Sequence, residues 1–421
     1  MPPPPPGSRV AIVGTGIAGL TCAHLLHRDY DLTLFEAGAY AGGHTHTVPV
    51  ERGGRSFPVD TGFIVFNERN YPLFCRLLGE LGVASQPTTM SFSVRCARTG
   101  LEYNGTSLNQ LFAQRRNLFR PSFLRMVGGI LRFYREAGEL LEGGEDSLTL
   151  GEYLELNHYP RSFVEQHILP MGAAIWSGSS DDIRAFPARY FVRFFANHGF
   201  LQVKNRPAWR VVQGGSHTYV QALTRPFAGR IRLNTPVRRL DRRPDGVHLE
   251  LPEGRIKRFD AVIIATHSDQ ALAMLADPSP AERQVLGAIG YQANDTVLHT
   301  DISLLPRTRR AWACWNYYLP PQARPCPTLT YNLNLLQGLD SHTTFCVSLN
   351  EAERIDPASR IEAMTYHHPR YTVGAVRAQG RRPEINGVKR TYYCGAYWGF
   401  GFHEDGVRSG AEVARLFGKE W

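Results

Sequence analysis

Three glycines in the stretch "VGTGIAGL", Gly14, Gly16 and Gly19, carry the spacing G-x-G-x-x-G. The chemistry of that spacing is anion binding by backbone. Gly14 permits a tight turn, Gly16 lets the backbone approach a pyrophosphate, and Gly19 lets a helix that begins at Ile17 and Ala18 pack close to the preceding strand. Glu36 follows 17 residues after Gly19. An acid there accepts hydrogen bonds from ribose hydroxyls, and favours an unphosphorylated ribose, as in FAD or NAD, over NADP. The nearby stretch "YAGGHTHTV" adds His44 and His46. A His-x-His on an extended segment points both rings the same way, as in many metal sites. These two lack further ligands at metal-binding spacing. The pair His367-His368 is expected in a loop without a matching carboxylate set. No metal site is assigned.

These residues need elements to hold them. "RVAIV" is a buried-strand run, "IAGLTCAHLLHR" has helical spacing, and "DLTLFEA" is a second strand ending in the acid. Together they make one β-α-β unit. Residues 72–82 read as an amphipathic helix stopped by Gly82, and residues 88–104 as a hairpin. Residues 106–200 are helix-rich and aromatic-rich. "DAVIIAT", "DTVLHTD", "PTLTYNLN" and "TTFCVSLN" are strand-like, and the C-terminal run reads as strand, glycine-rich loop and helix. Dinucleotide-binding signals thus lie at both ends and in the middle. The expected division is cofactor domain 1–90, 206–290 and 386–421, interleaved with a substrate domain, helical over 91–205 and sheet over 291–385.

The 421 residues are 43% hydrophobic and 20% charged, a globular composition long enough for two domains without a disulfide or metal staple. The seven cysteines are scattered, odd in number and without C-x-x-C spacing, which points to a reducing compartment. "MPPPPPGSR" lacks the basic and apolar regions of a signal peptide and reads as a stiff or disordered arm. No run is long and apolar enough to span a bilayer. The expectation is a cytoplasmic protein. The net charge of +9 is mostly arginine and is spread along the chain. That distribution fits a solvated basic surface, or attraction to an anionic membrane. No basic block is tied to a nucleic-acid-binding motif, so no nucleic-acid partner is expected.

Glu36 followed by Gly42-Gly43 resembles the extended fingerprint of the flavin amine oxidase superfamily. "FPVDTGFIVFN", with Thr61 and Gly62, "VQGGSHTYVQAL", "TPVRRL…FDAVIIATH", with Val237, Ala265 and Thr266, and "CGAYWGFGFHEDGVRSGAEVA", with Gly395, His403 and Val407, resemble its later cofactor-binding segments in the same order. The resemblance implies an α/β fold: a Rossmann-like FAD-binding domain with an interleaved, amine-oxidase-like substrate domain. It implies FAD held by these residues and by Gly14, Gly16, Ile17, Ala18, Gly19, Glu36, Gly42, Gly43 and His44. The superfamily often has arginine where this chain has His44, and an acid where it has Ala396. Cys394 precedes the final glycine and is misplaced for a covalent flavin link, so non-covalent FAD is expected.

"GGHTHTV", "VDTGFIVFNERNYP", "LHTDISLLPRTRRAWACWNY" and "GAYWGFGFHEDGVRSG" further resemble bacterial and plant flavoproteins associated with cyclopropane-fatty-acid-synthase-type methyltransferases, among them a fatty-acyl desaturase of furan fatty acid synthesis. That implies a long acyl chain, methyl-branched and esterified in phospholipid, oxidised to a conjugated diene. A lipid methyltransferase would be the pathway partner. The expected catalytic residues are His403 and Glu404, with Tyr331, Asn332 and Trp398 against the substrate. Residues 115–141 read as a basic amphipathic helix. Phe123, Leu124, Val127, Ile130, Leu131 and Tyr134 share one face, with Arg125 and Arg132 opposite, a pattern that suits either a core-covering helix or peripheral contact with the inner face of the membrane. A fatty acid double-bond isomerase, an amine oxidase and a non-catalytic FAD-binding scaffold remain open at this point.

Overall fold

The structure, a computed structural model, describes residues 3–142, 147–202, 205–322 and 324–421. Met1 and Pro2 of the proline arm lie outside the described residues. The cofactor-side layer is a parallel sheet of five strands. They are β1 (Arg9–Val13), β2 (Asp31–Phe35), β5 (Ile231–Arg232), β6 (Ala261–Ile264) and β12 (Thr391–Tyr393), in the order β5-β2-β1-β6-β12. β1 lies between β2 and β6 in parallel register, Val10 opposite both Leu32 and Ala261. Four of the five residues of β1 and all of β6 are buried, as a parallel sheet covered on both faces requires.

Helix α1 (Ile17–Leu26) is almost wholly buried, because the C-terminal helix α6 (His403–Leu416) closes over it. Gly406 and Gly410 make that approach possible. A Cβ at Gly406 would stand 2.6 Å from Ile17 Cγ2, and one at Gly410 2.6 Å from the Ala18 carbonyl oxygen. α2 (Pro72–Leu81) ends at Gly82 in the left-handed conformation, φ +64°, the stop read from the sequence.

The second layer is a mixed sheet of seven strands. They are β3 (Phe92–Cys96), β4 (Leu101–Asn104), β7 (Tyr291–His299), β8 (Trp315–Leu319), β9 (Leu329–Asn332), β10 (Cys346–Leu349) and β11 (Arg360–Pro369), in the order β11-β7-β10-β9-β8-β3-β4. Neighbours are antiparallel except β3 and β8. The expected loop at "HHP" is corrected here. His367 and His368 lie in β11, paired with Ala293 and Gln292 of β7. Residues 105–200 form the helical layer, including α3 (Pro121–Glu136), α4 (Leu169–Trp176) and α5 (Ala188–Asn197). Its aromatic core includes Phe123, Phe133, Phe163, Phe191 and Phe195. The "RYFVRFFANHGF" run is therefore chiefly core, although Phe194, His198 and Phe200 also reach the cavity described next.

Among the described residues no helix is long and apolar enough to cross a membrane.

Candidate flavin and substrate site

A cavity of about 710 Å³ runs from the carboxyl ends of β1, β2 and β6 into the space between the two sheets and the helical layer. Its first end is made by the glycine loop. Gly14 has φ +100°, and a Cβ there would meet the Ala265 carbonyl oxygen at 2.9 Å. A Cβ at Gly19 would lie 2.2 Å from the Gly14 carbonyl oxygen, so this glycine seats α1 on the turn rather than lining the cavity. Gly16 faces open space and lines the cavity with Ile17 and Ala18. Gly16 begins α1 without a side-chain cap. The amides of the first turn are thereby left to an anion at the positive end of the helix.

Glu36 Oε2 accepts from Thr15 N–H (3.0 Å) and Thr15 Oγ1 (2.5 Å), and Oε1 accepts from Gly38 N–H (2.8 Å). The carboxylate is thus fixed at the cavity rim, with acceptor capacity left on Oε1 for a ribose hydroxyl. Val237 and Thr235 stand beside it, and Ala265 and Thr266 close the β6 side. These residues fit FAD: a bare helix N-terminus for pyrophosphate, an oriented acid for ribose, and a cradle a Cβ would fill. No cysteine is among the cavity's lining residues. Cys394 is buried with Sγ 3.8 Å from Cys22 Sγ.

The Gly42–His46 loop and the Thr61–Phe63 segment are neighbours through backbone. Phe63 N–H donates to the His44 carbonyl (2.8 Å) and Thr61 N–H to the His46 carbonyl (2.9 Å). A Cβ on Gly62 would fall 2.1 Å from the His44 oxygen. Gly42, Gly43, His44, Thr61 and Gly62 all line the cavity. Beneath them Asp60 accepts from Ser216 N–H, Thr47 Oγ1 and Gln337 Nε2, which locks the "GGSH" loop to the antiparallel pair of strands Thr47–Arg52 and Arg55–Asp60. Burial raises the Asp60 carboxyl to about 6.

His44 and His46 both meet Tyr366 and then part. The His44 ring stands 5.0 Å from the Tyr366 ring and 5.5 Å from that of His368. Its Nε2 is buried without a partner, while the ring bonds to the His367 backbone. Nε2 itself is shielded, so His44 meets the cavity through the rest of the residue. Burial, then the imidazoles of His267 and His367, lower His44 to about 4. Burial likewise lowers His267 to about 4 and His368 to about 3. His46 does not line the cavity. It stacks on Tyr40 at 4.6 Å and bonds Thr61 Oγ1 at 3.0 Å.

Of the expected catalytic pair, His403 lines the cavity, but its Nε2 is engaged by Tyr219 OH (2.8 Å) and Thr45 Oγ1 (3.0 Å), and its ring stacks on Phe63 at 3.4 Å. Burial holds its pKa well below the ordinary value. Glu404 points elsewhere. Its two oxygens accept from Leu73 and Phe74 N–H at 3.1 and 3.0 Å and so cap α2, whose own leading residue Tyr71 offers no cap. The expectation that Glu404 takes a proton from substrate is therefore corrected.

Of the expected substrate contacts, Tyr331 lines the cavity. Asn332 is buried and caps the following helical turn by accepting from Leu335 N–H. Trp398 packs on Tyr397, outside the lining. Val407 is buried within α6, also outside the lining, while Gly395 lines it. The sequence reading missed His267, Tyr366, Met90, Ile175, Trp176, Trp209 and Leu336 on the wall. His267 alone had a signal. It follows Ala265-Thr266, just past the carboxyl end of a parallel strand, where sites of this fold lie.

The model of the flavin containing amine oxidoreductase family matches residues 17–300. A Mycobacterium tuberculosis chain named as a flavin-containing monoamine oxidase, AofH, is 30% identical over 300 residues, which cover 67% of this chain and 62% of that one. The 15-cis-phytoene desaturase of Narcissus pseudonarcissus is 25% identical over 292 residues, 64% of this chain and 49% of that one. This chain thus spans less than two thirds of these relatives' length. The crystal structure of a CLA-producing fatty acid isomerase from P. acnes has the same fold, with a TM-score of 0.70 at 17% identity over 97% of this chain and 99% of that one. With the glycine turn, its acid and the cavity between two sheets all in place, this chain belongs to the flavin containing amine oxidoreductase family.

Proposed function

We propose that the chain is an FAD-dependent oxidoreductase that desaturates a long unsaturated acyl chain at its allylic position, giving a conjugated diene. One observation carries this reading. Beyond the cofactor end, the wall is apolar and aromatic, with Met90, Ile175, Trp176, Phe194, Trp315 and Leu336, and among the described residues the only carboxylate lining the cavity is Glu36 at the ribose end. A run of methylenes gains from such a wall, whereas an amine cation would find no counter-charge.

When bound, FAD supplies the hydride-accepting centre. The residues of the chain do the rest. The aromatic wall holds the acyl chain extended and excludes water. His44, a neutral imidazole on the cavity lining, takes the proton lost from the neighbouring carbon. A carbon beside a developing allylic cation is strongly acidic, so an imidazole lowered to about 4 is basic enough. The cysteine-free wall supports non-covalent FAD. Methyl-branched chains esterified in phospholipid, made by a lipid methyltransferase in the cytoplasm, are the substrates that the motif resemblance favours. If the hydride returned to another carbon, the same cavity would support an isomerase. AofH favours amine oxidation as the second reading.

Anaerobic mixing with methylated and unmethylated unsaturated phospholipids, and with amines, tests the proposal. Loss of the oxidised-flavin band at about 450 nm with the lipids is expected. No loss with any lipid, together with loss on an amine, overturns it.

A further inference from the structure

We propose that the surface formed by α3 and the turn before it docks on an anionic lipid bilayer. The proposal is independent of the chemistry above, because docking is read without turnover. Residues 103–135 contain six arginines, Arg115, Arg116, Arg120, Arg125, Arg132 and Arg135, and no aspartate or glutamate. Arg115, Arg116 and Arg120 donate to the backbone carbonyls of Phe112, Gly100 and Thr99. Those bonds fix the guanidinium groups without neutralising them. Arg132 and Arg135 share one acid, Glu136.

Among these charges stand apolar side chains that the core does not use. Phe119 is 87% exposed, Leu131 56%, Leu124 46% and Leu118 44%. Leu124 and Leu131 are two helical turns apart and so share one stripe. The opposite face of α3 buries Phe123, Met126, Gly129 and Phe133. The structure thereby divides the stripe expected from sequence, turning Phe123 inward and both leucines out. Scattered exposed leucines need no explanation, but four large apolar groups within fourteen residues, ringed by cations, form an interfacial anchor. A second copy of the chain is disfavoured as occupant, since it would bring the same positive field. A nucleic acid would use the arginines and leave the apolar groups without a role. The buried face of the same helix packs toward the elements that build the cavity. Gly129 of α3 sits against Phe163, and the chain runs on from there into α4, whose Ile175 and Trp176 line the wall.

The test is sedimentation of the flavin-loaded protein with sucrose-filled vesicles of phosphatidylcholine, alone or mixed with phosphatidylglycerol, at low and high salt. Partition should be at least about tenfold stronger on the mixed vesicles and weaken with salt. The triple variant Phe119→Ser, Leu124→Ser, Leu131→Ser should lose about tenfold or more while keeping its flavin and melting temperature. Arg125→Glu, at an exposed site, should weaken binding to the mixed vesicles and provides a second reading if the triple variant folds poorly. Absence of vesicle binding, binding indifferent to anionic lipid and to both variants, or a concentration-dependent dimer or duplex-DNA complex that these variants abolish in place of vesicle binding would each overturn the proposal.

Discussion

At the residue scale, two adjacent side chains and one distant one divide the roles that a sequence would give to neighbours. Glu404 is an acid beside a histidine in a cofactor loop, but its oxygens hold the first amides of α2. Removing a cap of this kind costs about 1–2 kcal/mol. Glu404→Ala should therefore lower the melting temperature and leave the pH dependence of flavin reduction unchanged, as thermal denaturation and stopped-flow measurements would show. His44 carries the opposite expectation. The residue lines the cavity, and its Nε2 caps nothing. Loss of a proton acceptor costs about 10²–10⁴-fold in rate. His44→Ala should slow flavin reduction by that order with flavin content retained, and a variant that merely loses flavin would show a holding role instead.

At the element scale, glycines decide how closely helices approach. Gly19 has the Gly14 carbonyl oxygen 2.2 Å from where its Cβ would be, and backbone cannot yield as a side-chain tip can. Gly19→Ala should push α1 off the turn and cost about 1–3 kcal/mol by overpacking. The flavin content of purified protein should fall with it. Gly229, with nothing near its Cβ site, is the control that should tolerate alanine. The β-α-β unit was legible because strand and helix periods, a turn signal and an acid agreed within thirty residues. The "HHP" strand was not. β11 mixes exposed, half-buried and buried residues without a clean alternation, and its pairing with β7 joins segments some seventy residues apart, which no local pattern reports.

At the scale of the whole molecule, the buried histidines set the response to acid. Burial lowers His44, His198, His267 and His299 to about 4, and His167 and His368 to about 3, from an ordinary 6.5. Between those values and 6.5 the unfolded chain binds more protons than the folded one. Their contribution is full above about 6.5 and is lost as pH falls toward 4. Asp60 and Asp405, raised to about 6 by burial, act in the opposite sense, because the folded chain takes up their protons first as pH falls from 6. Six imidazoles outweigh two carboxylates. The urea midpoint should therefore fall clearly between about pH 7.5 and about pH 5, and equilibrium unfolding at the two values checks it.

The amino-acid sequence by itself determined the cofactor end of the site. Gly14, Gly16, Gly19 and Glu36 act through backbone shape and one carboxylate, and these are properties of residue type and spacing along one β-α-β unit. Family membership follows from such ordered short motifs. The tertiary structure alone decided the substrate end. Its wall is gathered from β7 to β11, α4, α5 and the loop after β6, so a tyrosine, tryptophan or histidine becomes wall, core or cap according to which distant strand it meets. That is why Tyr331 faces the cavity while Asn332, the next residue on the same strand, faces away. It is also why Glu404 became a helix cap: the amides that claim its oxygens lie some 330 residues earlier in the chain.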